Sequence, residues 1–395
     1  MGTPPLWGQP RVHRLLSTIS PTTLAAASRA ATLPELCFNV WALIAEQCGF
    51  VGAFRLMLLC KTAREGAKVW LRSLPRLVLC GGFYHEDNTH TPSSEVWRLN
   101  LGPLRWDRMS DLTRARGQPA CCAVRGGVAV FGGVVEDSEC TAGVEILEGG
   151  PEAEANGFKA LPPLSRGPVH DSVAISIDES ESEQGRVFLI GADDVYGSSP
   201  AVHKVDLATG ACSVTALLSP PVNFFAVTAA ARLLDGRIVC ASETFGDDGY
   251  EGSVEVLEPS EQGSTIEASG QWRALPFTII VRHGIRGCVL SDGRFAIFGG
   301  SAGYQRVIGG DISTCLSSCE VLTLDPNGDR WDMLPPMREA RNAVVCAAIG
   351  GCVIVVGGSG STTAEVYEEG LGRWRRLPCS LPHSGQLSMM GSALM

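Results

Sequence analysis

A short strand-like run that ends in two glycines recurs along this chain of 395 residues. "RLVLCGG" ends at Gly81-Gly82, "GGVAVFGG" at Gly132-Gly133, "GRFAIFGG" at Gly299-Gly300 and "GCVIVVGG" at Gly357-Gly358. Two fainter versions lie between them, "GRVFLIGA" from Gly185 and "GRIVCASE" from Gly236. Successive anchors are about 50 to 60 residues apart, a spacing that marks a repeat array rather than one irregular core. Such units must bury their faces against one another, which restricts the fold more than any other feature here.

Each unit continues in the same way. Past the glycine pair come a loop, a strand such as "SSCEVLTL", a turn, and a strand carrying an aromatic residue such as "DRWDML". Further apolar runs, "RGQPACCAV", "VHDSVAISI", "VNFFAVTAA", "RHGIRGCVL" and "RNAVVCAAI", lead into the next glycine-pair strand. Four strands repeated six times predict a mostly β chain folded as a six-bladed β-propeller over residues 77–395. The glycine-pair strand is apolar on both sides because a neighbour is expected on each face. Where it leaves the sheet in a crowded place, glycine permits positive φ and close approach. The first unit lacks the strand before its glycine-pair strand, and the C-terminal "HSGQLSMMGSALM" matches what is missing. That segment is expected to complete the first blade and remove an open edge.

Composition limits the function classes. Hydrophobic residues make up 45% and charged residues 19%, a globular balance. The net charge of -10 leaves no broad basic stripe to neutralise phosphates, so nucleic acid is not an expected partner. No uninterrupted apolar run approaches the roughly 18 residues of a membrane span, so a soluble protein is expected. The 15 cysteines are scattered, include no CxxC, and often sit inside apolar strands. Free thiols in a reducing compartment, cytoplasm or nucleus, are the expectation. Residues 1–31 hold arginines, serines and alanines but no acid, and read as a disordered leader, with a mitochondrial transit peptide as the alternative.

Residues 32–74 are different. Thr32-Leu33-Pro34-Glu35 is a capping-box pattern, and Leu36, Val40, Leu43 and Ile44 follow at helical spacing. A break at Gly49 to Gly52 precedes a second apolar helix through Phe54, Leu58 and Leu59, and a third begins near Lys61. So small a helical core commonly needs a partner.

The repeats resemble the kelch family, through the glycine pairs, the five Glu-Val or Glu-Ile pairs, and Trp106, Trp272, Trp331 and Trp374. The helical segment resembles an F-box, through Leu33-Pro34, Leu36, Ile44 and "LLCK" at Leu58 to Lys61. Together these resemblances imply a substrate-recognition subunit of a Skp-cullin-F-box ubiquitin ligase. The Skp-type adaptor would bind Leu33, Pro34, Leu36, Val40, Ile44, Phe54, Leu58 and Cys60, and through it a cullin. A kelch scaffold, cytoskeletal in character, with the helices as a mere cap, is the alternative.

No catalytic constellation is visible. The seven histidines form no HExxH and no defensible Ser-His-Asp spacing, and there is no P-loop, so no enzyme activity, metal or cofactor is expected. A propeller enzyme is the third reading. Strand direction places the connections entering each first strand on one face with the loops leaving the glycine pairs. Those connections carry Arg116, His170, Asn223, Arg282, His283, Arg341, Asn342 and His383. The loops carry Tyr84, Tyr196, Tyr250, Tyr304 and Arg306. Tyr and Arg on loops held by a rigid scaffold are typical of interface hot spots, and the arginines suggest an acidic or phosphorylated protein partner.

Overall fold

The computed structural model describes residues 38–86, 89–150, 155–177, 186–192, 200–217, 225–246, 249–258, 271–307, 310–381 and 386–395. Two compact units are present, Met1–Pro75 with Ile349–Cys352, and Arg76–Ala348 with Val353–Met395.

Among its described residues the first unit contains two helices. Helix α1, Phe38–Leu56, is interrupted at Gly49, whose φ of 70° and ψ of -179° lie outside helical values. Helix α2, Lys61–Ser73, starts at Cys60, whose thiol accepts the Ala63 N–H at 3.4 Å. Trp41, Ala45, Phe50, Ala53 and Leu56 of α1 and Ala63, Ala67 and Leu71 of α2 are buried. Gly66 permits this packing, since a Cβ there would lie 2.4 Å from the Phe38 carbonyl oxygen. The buried stripe differs from the expected one: Leu43 is exposed, Val40 and Ile44 are half-buried, and Trp41 and Ala45 take the inner positions.

Among its described residues the second unit is mostly β, with six four-stranded antiparallel sheets. We number them I to VI by the chain order of their second strands, Leu77–Cys80, Gly127–Phe131, Arg186–Ala192, Ile238–Gly246, Phe295–Phe298 and Cys352–Val356. Sheet II is representative, with Ala120–Val124, Gly127–Phe131, Val144–Leu147 and Lys159–Leu161 in spatial order. Sheet I takes its first strand from the other end of the chain: Gly391–Leu394 pairs with Leu77–Cys80, Leu77 opposite Leu394 and Cys80 opposite Gly391. The apolar core is divided between neighbouring sheets. One cluster joins Val78 and Cys80 of sheet I to Val128 and Val130 of sheet II, and another joins Ala129 and Phe131 of sheet II to Val187 and Leu189 of sheet III. Alternate residues of a single strand therefore face different neighbours, which is why these strands are apolar throughout. Trp106, Trp331 and Trp374 are buried, and Phe158 occupies the corresponding place in sheet II. The first strands of all six sheets line one cavity of about 400 Å³. This arrangement is propeller-like.

The glycine pairs have a specific task. Gly299 and Gly300 have φ of 65° and 95°. A Cβ on Gly299 would lie 2.3 Å from the Arg341 carbonyl oxygen, to which the Gly300 N–H donates at 2.8 Å. Gly81-Gly82 meets the Arg116 carbonyl in the same way. The pair thus turns the strand and ties its sheet to the next one. Sheets III and IV lack the pair, and there the strands run on as Arg186–Ala192 and Ile238–Gly246.

Beyond the pairs, segments expected to be loops are partly strands. Phe83–Glu86 and Thr89–Pro92 form a three-stranded sheet with Gln386–Ser388, and Ser301–Val307 pairs with Gly310–Cys315. Local antiparallel pairing satisfies backbone groups that a free loop would leave to water.

Candidate functional site

The connections entering sheets II, V and VI share one construction. In sheet V the backbone N–H groups of Ile279 and Ile280 donate to Glu320 Oε2 and Oε1 at 2.7 and 3.1 Å. Arg282 Nη2 donates to the same carboxylate, while its Nη1 donates to the Gly299 and Ser318 carbonyls, both at 2.9 Å. Sheet VI repeats this with Arg341 on Glu365, at 3.2 Å from Nε and 3.1 Å from Nη2, and on the Gly357 carbonyl at 2.7 Å. Sheet II repeats it with Arg116 on Glu145 and on the Gly132 carbonyl. Side chains of both partners are at most 2% exposed in all three pairs.

Arg116, Arg282 and Arg341 are therefore not presented to a partner. A guanidinium needs a carboxylate to enter a β core, and these three spend their donors clamping the entry connection onto the glycine-pair turn. Burial, which disfavours the cation, lowers the Arg282 pKa against the pull of Glu320. The expectation of three arginines on a binding face is corrected, and the inference of an acidic or phosphorylated partner loses those residues. The carboxylates belong to the same Glu-Val and Glu-Ile pairs that mark the repeat in the sequence. A glutamate at a buried register position was the available sign that each arginine had a partner inside.

Other candidates are placed as follows. His170 is half-buried with Nδ1 3.0 Å from Asp171 Oδ2. His283 and Asn342 are half-buried, and burial lowers the His283 pKa. Tyr84 lies in a strand rather than a loop, is half-buried, and accepts a hydrogen bond from the Ser93 hydroxyl at 3.2 Å. Loss of solvent pushes its phenol up to about 12. Tyr250 lies in Gly249–Glu258, and Tyr304 and Arg306 in Ser301–Val307, again strands rather than loops. Tyr196, Asn223 and His383 fall outside the described residues. What the entry connection of sheet V does expose is apolar: Phe277 is 74%, Ile279 53% and Val281 59% exposed. No sequence motif singles these out.

In the helical unit, Leu33, Pro34 and Leu36 lie outside the described residues. Phe54 is half-buried, with its ring edge-on to Phe50 at 5.2 Å, and Cys60 is exposed. Hydrogen bonding from Thr62 and the Ala63 N–H lowers the Cys60 pKa. Leu58 is 82% and Leu43 61% exposed, and Phe38, Leu59 and Val69 also face solvent. Leu43 and Val69 line a shallow groove between α1 and α2 together with Asn39, Ala42, Glu46, Trp70 and Ser73.

Among the described residues no three His, Cys, Asp or Glu side chains converge to hold a metal ion, and no helix is long and apolar enough to cross a membrane. No protein-family model matches the chain, and no curated protein does. The structure is similar to one solved as "Structure of YjhT", with a TM-score of 0.56 and 14% sequence identity over 77% of this chain and 98% of that one. With that protein the chain shares a mostly β, propeller-like fold.

Proposed function

We propose that the chain is a six-bladed kelch-type propeller carrying an F-box-like helical unit, and that it serves as the non-catalytic substrate-recognition subunit of a Skp-cullin-F-box ubiquitin ligase. One observation carries this reading. The helical unit buries a core of its own yet leaves Phe38, Leu43, Leu58, Leu59 and Val69 in water. Exposed apolar side chains in one small unit favour a protein partner, because covering them gains about 25 cal/mol per Å². The F-box resemblance of this segment names the Skp-type adaptor as that partner.

On the propeller, the protein substrate is held by the face where connections enter the first strands. With the three arginines buried, the exposed Phe277, Ile279 and Val281 favour an apolar element in the substrate over an acidic or phosphorylated one.

Co-purification of a Skp-type adaptor with the full chain and with a Leu43→Ala, Leu58→Ala, Leu59→Ala variant tests the ligase reading. These side chains are exposed, so the variant should unfold at the native temperature. Adaptor held by the native chain and lost by the variant is the expected result. Adaptor absent from both at micromolar concentration would leave the ligase reading without support.

A further inference from the structure

The cavity enclosed by the six first strands is a second site, of a different kind. Its volume of about 400 Å³ falls within the range of small-molecule pockets. Its lining is graded along the strands. Gln118, Asp171 and Arg286 stand where the chain enters the sheets, with Thr228 of Phe225–Arg232 beside Arg286, whereas Leu77, Ala231, Val289 and Leu394 stand at the other end. Leu77 and Leu394 are paired directly there.

Arg286 differs from the three clamping arginines. Its Nη1 donates to the carbonyls of Thr228 and Ile285, at 3.1 and 2.9 Å, which fixes the guanidinium at the cavity wall. Among the described residues its Nε and Nη2 make no hydrogen bond and it forms no ion pair. That leaves the edge of the guanidinium that receives a carboxylate side-on through two parallel N–H···O bonds. Two acids lie near. Asp171 faces His170. Glu243 accepts the Gly284 N–H at 2.9 Å, and burial pushes its carboxyl up to about 7 against the pull of that N–H and of Arg286.

We infer that this cavity binds a small organic carboxylate with a short apolar body, its carboxylate on the Nε–Nη2 edge of Arg286 and its body toward Ala231, Val289 and Leu394. The pinned guanidinium supplies orientation at little entropic cost, and the apolar end supplies burial. The small side chains between the two ends, Ala229, Ala230 and Gly287 among them, leave the space open.

The test uses the full chain and sodium hexanoate, with binding read by ligand-observed NMR and calorimetry. Saturable millimolar or tighter binding is expected, with hexan-1-ol and inorganic phosphate both weaker by about tenfold or more. Arg286→Gln keeps a donor toward the Thr228 carbonyl and should weaken hexanoate by a similar factor. Ala231→Leu fills the apolar end, and should weaken hexanoate while leaving acetate unchanged. No saturation by the folded native chain would overturn the proposal. So would phosphate or hexan-1-ol binding as tightly as hexanoate. If Arg286→Gln does not fold, Ala231→Leu and the two control ligands still decide the matter.

Discussion

At the level of single residues, the connections into sheets II, V and VI depend on a glutamate that looks misplaced in an apolar strand. Glu320 is fully buried, opposes Arg282, and accepts two backbone N–H groups of the preceding connection. Removing it strands a buried guanidinium and two donors at once. Glu320→Ala should therefore cost about 3 to 5 kcal/mol, the range for breaking a buried ion pair from one side. Urea denaturation measures this. A loss below about 1 kcal/mol, typical of an exposed pair, would mean that water or a rearranged connection takes over the role of the carboxylate. The residue scale is also where the sequence misleads. Arg282 reads as a surface residue because nothing local to it is acidic, and its partner lies 38 positions further on. Only the fold brings the two together.

Elements were more legible than contacts. Glycine pairs mark strand ends with positive φ because few other residues can turn there against a carbonyl 2.3 Å from a would-be Cβ, as at Gly299. Their absence at Gly191-Ala192 and Ala241-Ser242 carries a meaning that the repeat pattern alone does not give: the strand there continues. The hairpin formed by Ser301–Val307 and Gly310–Cys315 left no periodic signal, since alternation is weak in "SAGYQRV" and "GDISTC". The helical stripe was displaced for a related reason. In "VWALIA" apolar residues occupy every position, so spacing cannot say which of them turns inward.

The pairing of Gly391–Leu394 with Leu77–Cys80 gives the element scale its sharpest expectation. Deleting residues 386–395 removes this strand and Leu387, which is buried, and leaves the ladder groups of Leu77–Cys80 open. An exposed apolar edge pairs with other chains. The truncated chain should be largely insoluble or form high-mass species on size-exclusion chromatography, whereas the full chain elutes at its own mass. A soluble truncated chain with an unchanged thermal midpoint would show that the C-terminal strand is dispensable.

For the whole molecule, two compact units with different cores imply two responses to binding. The helical unit has eight buried apolar residues among Phe38–Ser73, too few for high stability alone, while the β unit distributes its core over several inter-sheet clusters. Calorimetric unfolding should accordingly show a weaker first transition and a stronger second one. A ligand stabilises only what it binds in the folded state, by about 2.7 kcal/mol at a hundredfold excess over its dissociation constant. Saturating adaptor should raise the first transition and leave the second, and saturating hexanoate should do the reverse. In the Leu43→Ala, Leu58→Ala, Leu59→Ala variant the adaptor response should vanish and the hexanoate response persist. A single transition moved by either ligand would mean that the two units unfold as one.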